Sequence, residues 1–483
     1  MFQSHLIING ESESAAPGPV FERRGPLSDD VVTKACAARA ADARRAATAA
    51  AAAFHHWSAT APSDRAEILR RAATLMLDRQ EEAVAIAAKE VGSAADWIRF
   101  NVEIAVAILR QASELPDHMT ETVTQGALPG ARLVVRRRPA GVVLAIAPWN
   151  ASVTLATRAV AAPLACGNTV VLKASELCPK THEWVARVLI DAGLPPGVLN
   201  FVTNAPDHAE EVVAALIAHP AVRRVNFTGS TRVGREIAVT AARHLKPCLM
   251  ELSGKGTMVV LADADLDLAA EEAAHGAFFN QGQICMSTER IVVDASVADA
   301  FTQRLVARAE SLRAPAPGTS PLGSLISPGA ALRLRGIVDD ALSHGARLAA
   351  GGDSLGATFQ PTVLDHVTPG MRIYAEEAFG PIVGVIRAGD AEEALSLAND
   401  TEFGLVVSVF SRDTAKAEAM LRTVETGIGH INRSTVFDDP LMPFGGVKSS
   451  GYGRFGGDEA IREFTECQVV TQRAEDPQTT DAT

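Results

Sequence analysis

Between residues 142 and 252, short apolar runs alternate with longer segments in which apolar residues recur at helical spacing, joined by only a few residues. The runs predict strands at 142–147, 169–173, 198–202, 223–227 and 248–252. The helical segments lie at 153–165, 179–192, 207–218 and 231–242, the first two ended by Gly167 and Gly193. Such alternation implies a parallel sheet covered by helices on both faces. After Gly254 a second alternation begins, with strands near 258–261, 290–293 and 405–410 and helices near 266–279, 297–312 and 330–343. The predicted fold class is α/β, built as two successive units.

Residues 1–30 carry short β-compatible pieces such as 6–8, and read as a surface-hugging lead-in. The alanine-rich stretch 31–54 and the near-helical repeat of 63–91 (Ala66, Leu69, Ala73, Met76) predict long helices to about residue 113. Residues 120–138 alternate loosely around Gly126 and Pro129–Gly130, which predicts a β-hairpin arm standing away from the helices and able to pair with another subunit. Residues 466–472 are strand-like and suited to cover the arm of a neighbouring subunit, while 474–483 are polar and expected to fray. No internal repeat of solenoid period is present.

Composition narrows the function classes. At 483 residues the chain exceeds one ordinary core, and 47% apolar with 21% charged residues is globular. Its 57 acidic against 45 basic residues leave a net charge of -12, so general attraction to nucleic acid is not expected. The basic run Arg136 to Arg138, beside Arg132, reads as a solvated strand end. Six cysteines, at 36, 166, 178, 248, 285 and 467, show no paired spacing, so no disulfide framework and no metal site are expected. The opening MFQSHLIING lacks a basic-then-apolar leader, and no apolar run approaches the ~20 residues of a membrane helix. A soluble, cytoplasmic protein with reduced thiols is expected.

In a parallel sheet of this kind, ligands bind outside the carboxyl ends of the strands. The first strand ends in Pro148, Trp149 and Asn150; the second ends at Lys173, with Glu176 just beyond; the fourth runs into Gly229 and Ser230; the fifth ends at Glu251. All these polar groups fall at one edge. Cys285 sits in FFNQGQICMSTER, after a long helix-compatible run and among small and polar residues. Free cysteines most often fill cores, and this setting is unusual for a filler; it suits a nucleophile.

Two glycine patterns are deceptive. GYGRFG at 451–456 spells GxGxxG, but no strand runs into it and no βαβ unit contains it. GSTRVG at 229–234 has the outer spacing of a P-loop yet continues with Arg235 and Glu236, so nucleotide hydrolysis has no support. That segment still opens a helix, where backbone N–H groups with the Ser230 and Thr231 hydroxyls can bind one cofactor phosphate. An ordinary helix N-cap is the alternative reading of the same residues.

The motifs Ile146-Ala-Pro-Trp-Asn150, Lys173-Ala-Ser-Glu176, Phe227-Thr-Gly-Ser230, Glu251-Leu-Ser-Gly254, Asn280-Gln-Gly-Gln-Ile-Cys285, Glu377-Ala-Phe-Gly-Pro381 and Pro443-Phe-Gly-Gly446, in that order, resemble the aldehyde dehydrogenase superfamily across essentially the whole chain. CGNTVVLKASELCP, HPAVRRVNFTGST and MPFGGVKSSGYGRFGG further resemble its bacterial branch acting on aromatic aldehydes, notably salicylaldehyde and vanillin dehydrogenases. The resemblance implies a Rossmann-like NAD-binding domain (1–118 and 139–252), a second α/β catalytic domain (253–445), and an oligomerisation arm with C-terminal tail (119–138 and 446–483). It also implies NAD as cofactor, an aldehyde substrate, and a homodimer or homotetramer.

By that resemblance Cys285 is the nucleophile, Asn150 an oxyanion donor and Glu251 the general base that activates water on the thioester. Trp149, Lys173, Glu176, Gly229, Ser230, Gly234, Glu377 and Phe379 become cofactor contacts, and Arg158, Ile284, Met286 and Phe437 candidates for the substrate pocket. A carboxylate at Glu176 accepts bonds from a ribose diol and repels a 2′-phosphate, which favours NAD over NADP. An aliphatic semialdehyde, a coenzyme A-acylating reaction, or a catalytically silent protein of the same fold are the alternatives; Glu251 speaks against the second. One departure stands out: Ser253 and Thr257 replace a glycine and a proline usual beside the base.

Overall fold

The computed structural model describes residues 1–15, 18–127, 131–313 and 322–473. The hairpin turn expected at Pro129–Gly130 and the tail 474–483 lie outside the described residues. The first sheet contains all five strands predicted between 142 and 252. Cys248–Glu251, Val222–Thr228, Val142–Ile146, Thr169–Lys173 and Leu199–Val202 lie side by side in that order, all parallel. Val142–Ile146 and Thr169–Lys173 are buried along their whole length, as parallel strands covered on both faces must be. Val143, Ala145, Val170 and Leu172 enter a core shared with helices Ser152–Ala165 and Pro179–Asp191. Val142, Leu144, Ile146 and Val171 enter the opposite one, against Ala40–Ala59, Ala209–Ala218 and Thr231–Arg243. This period-two division is the strand pleat expressed as two apolar layers.

The second sheet orders Arg347–Ala350, Thr362–Asp365, Ile382–Ala388, Thr288–Asp294, Gly256–Val260, Val406–Phe410 and Ile428–Ile431, parallel except at its first strand. Helices Leu266–Phe278 and Ala298–Ser311 cover one face; Pro328–Ser343, Ala391–Asn399 and Thr414–Leu421 cover the other.

Five expectations are corrected. The helical region does not begin at residue 31: Val31–Cys36 is a strand, paired with Phe2–Ser4 and Val20–Arg24, and helix starts only at Ala40. The β-branched Val31, Val32 and Thr33 outweigh the alanines that follow. The lead-in does more than hug the surface: its β-compatible piece Leu6–Ile8 is a buried strand that adds antiparallel to the first sheet beside Leu199–Val202. The strand Thr465–Arg473, expected against a neighbour's arm, pairs in full register with Ala131–Pro139 of its own chain. That pairing also half-buries Arg136 and Arg137, whose side chains bond Gln468 and Thr465 across the strands, so only Arg138 of the basic run stays exposed. Lastly, Gly451–Tyr452, expected with the arm, closes the first sheet beside Met250 and Glu251. Among the described residues no helix is long and apolar enough to cross a membrane.

Candidate active site

The carboxyl edge of the first sheet meets the amino edge of the second at a cleft of about 310 Å³. The first sheet contributes Trp149, Asn150, Gly229, Ser230 and Glu251; the second unit contributes Cys285, Glu377 and Phe379. Eight of the residues predicted from sequence thus share one cavity. The register explains the convergence: Ile146 pairs with Lys173 and Thr228 with Glu251, so the strands stop level and their next residues project together.

The loop that carries Cys285 is held in an unusual conformation. Asn280 (φ 48), Gln281 (φ 58) and Gly282 (φ 65) are consecutive left-handed residues just before Cys285. Each non-glycine residue there costs roughly 1–3 kcal/mol, so the surroundings must impose it. Asn280 accepts a bond from Ser93 Oγ (2.9 Å) and donates to the Asn150 carbonyl (3.2 Å). Gln281 donates to the Gly323 carbonyl (3.0 Å). Gln283 donates to the carbonyls of Asn280 (3.2 Å) and Ser324 (3.1 Å) and accepts from the Ile326 N–H (2.9 Å). The NQGQ motif is therefore a self-bracing platform. On its far side Gly254 abuts the Cys285 carbonyl, where a Cβ would come within 2.3 Å of the oxygen; only glycine lets the base strand approach so closely.

Asn150 is buried, and its amide donates one N–H to the Gln283 carbonyl (3.0 Å), which fixes the side chain beside the loop carrying Cys285. The half-buried Cys285 thiol is pushed well above its ordinary value by burial and by the neighbouring Glu251 and Glu377 carboxylates, against a lowering by Arg158. Glu251 is buried, neither carboxylate oxygen has a hydrogen-bond partner of good geometry, and burial raises it to about 7. The Cys285 thiol and the Arg158 guanidinium oppose that rise, favouring the carboxylate. Glu377 is raised to about 7 as well, by burial and Glu289, while the Ser253 side chain and the Gly254 N–H (3.0 Å) hold its carboxylate. Ser253 thus binds a second site residue, and Thr257 is fixed in the strand Gly256–Val260, bonded to the Lys255 carbonyl (3.1 Å).

Lys173 and Glu176 form an ion pair at the neighbouring strand end, and Glu176 also accepts from Asn204 Nδ2 (2.9 Å). Burial would raise Glu176, yet Lys173 holds it below the ordinary carboxylate value. Ser230 both faces the cleft and caps helix Thr231–Arg243 through the Val233 N–H (3.4 Å), so the two readings of that serine coexist. Gly234 does not line the cleft; it seats the helix on Leu252, where a Cβ would meet Leu252 at 2.4 Å. Of the pocket candidates, Ile284 and Met286 are buried in the apolar core. Phe437 lines a separate cleft with His275 and Arg433. Arg158 is buried in an ion pair with Asp438 (2.6 Å) and stacks on Phe444 at 4.2 Å, outside the main cleft yet close enough to bias Glu251 and Cys285.

The Cys285 thiol, the Asn150 amide and the raised Glu251 carboxyl thus share one cleft on a doubly wound frame. The chain belongs to the aldehyde dehydrogenase family, whose pattern it matches over residues 13–470. It is 52% identical to a vanillin dehydrogenase of Pseudomonas fluorescens, over 98% of each chain. It is 43% identical to a salicylaldehyde dehydrogenase of Pseudomonas putida, over 97% of this chain and 98% of the other. The crystal structure of a salicylaldehyde dehydrogenase from Pseudomonas putida G7 complexed with salicylaldehyde superposes with a TM-score of 0.96 at 42% identity, covering all of both chains.

Sequence reasoning missed three features. Arg333 brings a guanidinium into the cleft, bonded to the Ala378 carbonyl, from a helix with no motif to mark it. Trp97, Phe100 and Phe279 form an aromatic cluster with centroids 4.8–5.7 Å apart, and Trp97 Nε1 donates to the Asn150 carbonyl (3.0 Å). The adjacent FF of the nucleophile stretch was the available signal, but its partners lie far away in sequence. The third is a buried ion pair between Lys255 and Glu289.

Proposed function

We propose that the protein is an NAD-dependent dehydrogenase that oxidises an aromatic aldehyde to its carboxylic acid. The observation that carries this is the meeting of Cys285 and Glu251 in one cleft that also holds Glu377 and Phe379. Cys285 releases its thiol proton to solvent and attacks the carbonyl carbon as the thiolate, and the Asn150 amide with the Cys285 N–H holds the oxyanion of the resulting thiohemiacetal. NAD, when bound, supplies the acceptor for the hydride that this adduct releases. Glu251, ionised above about 7, then takes a proton from water, which cleaves the thioester and frees the acid and the thiol.

The cofactor fits the residues present. Glu176 offers a carboxylate held in its charged form for a ribose diol, beside Asn204 Oδ1, a buried acceptor with no hydrogen-bond partner in the protein. Ser230 and the helix start serve a phosphate, and Arg333 sets a positive charge along the same wall. Gly234 serves indirectly, by seating that helix. The aromatic cluster of Trp97, Phe100 and Phe279 against Asn150, together with the relatives' activities, supports a benzaldehyde-type substrate. The first sheet serves as the cofactor-binding domain and the second as the catalytic one. The three-stranded arm, with Val123 and Val469 exposed on it, is assigned to self-association as a dimer or tetramer, to be checked by light scattering.

Cys285→Ala is expected to abolish aldehyde-dependent NADH formation while NAD binding persists; unchanged turnover refutes the mechanism. A panel of hydroxylated benzaldehydes and short aliphatic aldehydes tests the substrate class, since an aliphatic preference overturns it and leaves the mechanism standing. Faster reduction of NADP than NAD at equal low concentration would remove Glu176 from its assigned role.

A further inference from the structure

Lys255 lies four positions beyond the base Glu251, and Glu289 four beyond the nucleophile Cys285. Their side chains are 0% and 3% exposed and meet at 2.6 Å. Neither faces the cleft, yet both are spent on one short segment that does. Lys255 Nζ donates to the Glu376 carbonyl (2.6 Å). Glu289 accepts from the Ala378 N–H at one oxygen (2.7 Å) and from the Phe379 N–H at the other (2.8 Å). Between these anchors the Glu377 carboxylate is tied to the Gly254 N–H, and Phe379 is held left-handed at φ 48, its ring edge-on to Trp149 at 5.8 Å.

A left-handed phenylalanine persists only where its surroundings impose it. The Glu289 carboxylate does so by gripping two successive N–H groups, which fixes the local peptide orientation. A buried ion pair is weak support for stability, because desolvating both charges offsets their attraction. Burial pulls the Lys255 amine down while Glu289 opposes this. The pair therefore calls for an explanation beyond stability, and its backbone contacts supply one.

We propose that Lys255 and Glu289 are positioning residues that lock the segment 376–379 to the segments that follow the base and the nucleophile, so that Glu377 and Phe379 are registered for the cofactor relative to Cys285. This rests on the reading of Glu377 and Phe379 as cofactor contacts. It predicts that loosening the pair damages cofactor placement but spares chemistry that needs only Cys285 and Glu251.

Three measurements on Glu289→Gln separate these. The Kd for NAD, from quenching of tryptophan fluorescence, and the rate of the first-turnover NADH burst should each worsen roughly 10- to 100-fold, the scale of a lost charge-assisted hydrogen bond. Hydrolysis of p-nitrophenyl acetate without NAD, which uses the same thiol and base, should stay within about twofold of wild type, well inside the tenfold that one such bond represents. Because a lone buried lysine charge can unfold the variant, Lys255→Met/Glu289→Leu carries the same test with both charges removed. Ester hydrolysis falling as far as NAD-dependent oxidation, or a Kd and burst equal to wild type, overturns the proposal. Failure of the wild type itself to bind NAD overturns the underlying cofactor reading, and is visible in the wild-type arm alone.

Discussion

The two segments to which the proposed mechanism assigns nucleophile and base are held in opposite ways. The nucleophile loop, residues 280–285, is over-determined: the Asn280, Gln281 and Gln283 side chains all bond the main chain around it and stabilise left-handed backbone. The base, Glu251, sits at the end of a regular strand, yet its carboxylate has no hydrogen-bond partner of good geometry. The difference matches the tasks. A nucleophile must be aimed at a carbon within a fraction of an ångström. A base that works on water needs a raised proton affinity, and a buried carboxylate without a hydrogen-bond partner of good geometry has it.

The largest effect expected from breaking this contrast is at the base. Glu251→Gln should slow steady-state turnover by roughly 10²- to 10⁴-fold, with a stoichiometric NADH burst preceding the slow phase in stopped flow; a slow variant without a burst would move the role of Glu251 to acylation. Next comes the oxyanion donor. Asn150→Ala should lower kcat by about 2.7–4 kcal/mol of transition-state stabilisation, while circular dichroism stays native.

The platform comes third. Gln283→Ala removes three hydrogen bonds, each contributing roughly 0.5–1.5 kcal/mol, so calorimetry should show a lower melting temperature and alkylation of Cys285 should lose its uniform rate. The smallest effects follow pH. Deacylation should rise as pH climbs through about 7, where Glu251 ionises, and that limb should vanish in Glu251→Gln. The folded-state value lies above the ordinary 4.5, so the carboxyl's contribution to stability is full below 4.5 and lost as pH rises through 7. Glu251→Gln should therefore melt higher relative to wild type at pH 8 than at pH 5.

What was legible in the sequence follows the range of the interactions. The five central strands and their ligand edge were readable because burial on both faces writes continuous apolar runs, and glycines mark where Ser152–Ala165 and Pro179–Asp191 end. That Cys285, Glu251 and Asn150 share one cleft was legible only through motif order, since no periodicity announces it. Partnerships between distant segments were not legible. Leu6–Ile8 pairs with Leu199–Val202, Thr465–Arg473 turns back on Ala131–Pro139, and Lys255 finds Glu289 across 34 positions. Val31–Cys36 was misjudged for another reason: alanine density was weighed above three β-branched residues that pair on both sides.

The antiparallel pair Gly451–Tyr452 against Met250–Glu251 has a consequence for biosynthesis. The strand carrying the base keeps one open edge until a segment about two hundred positions later has left the ribosome; the Ser253–Ser450 bond alone spans 197 positions. Emerging chains fold progressively from the N-terminal side, and an unpaired edge is an invitation to wrong partners. A nascent chain halted before residue 451 therefore holds nucleophile and base without a closed sheet to seat the base. Completion of the cleft is thus timed to the late arrival of a two-residue strand.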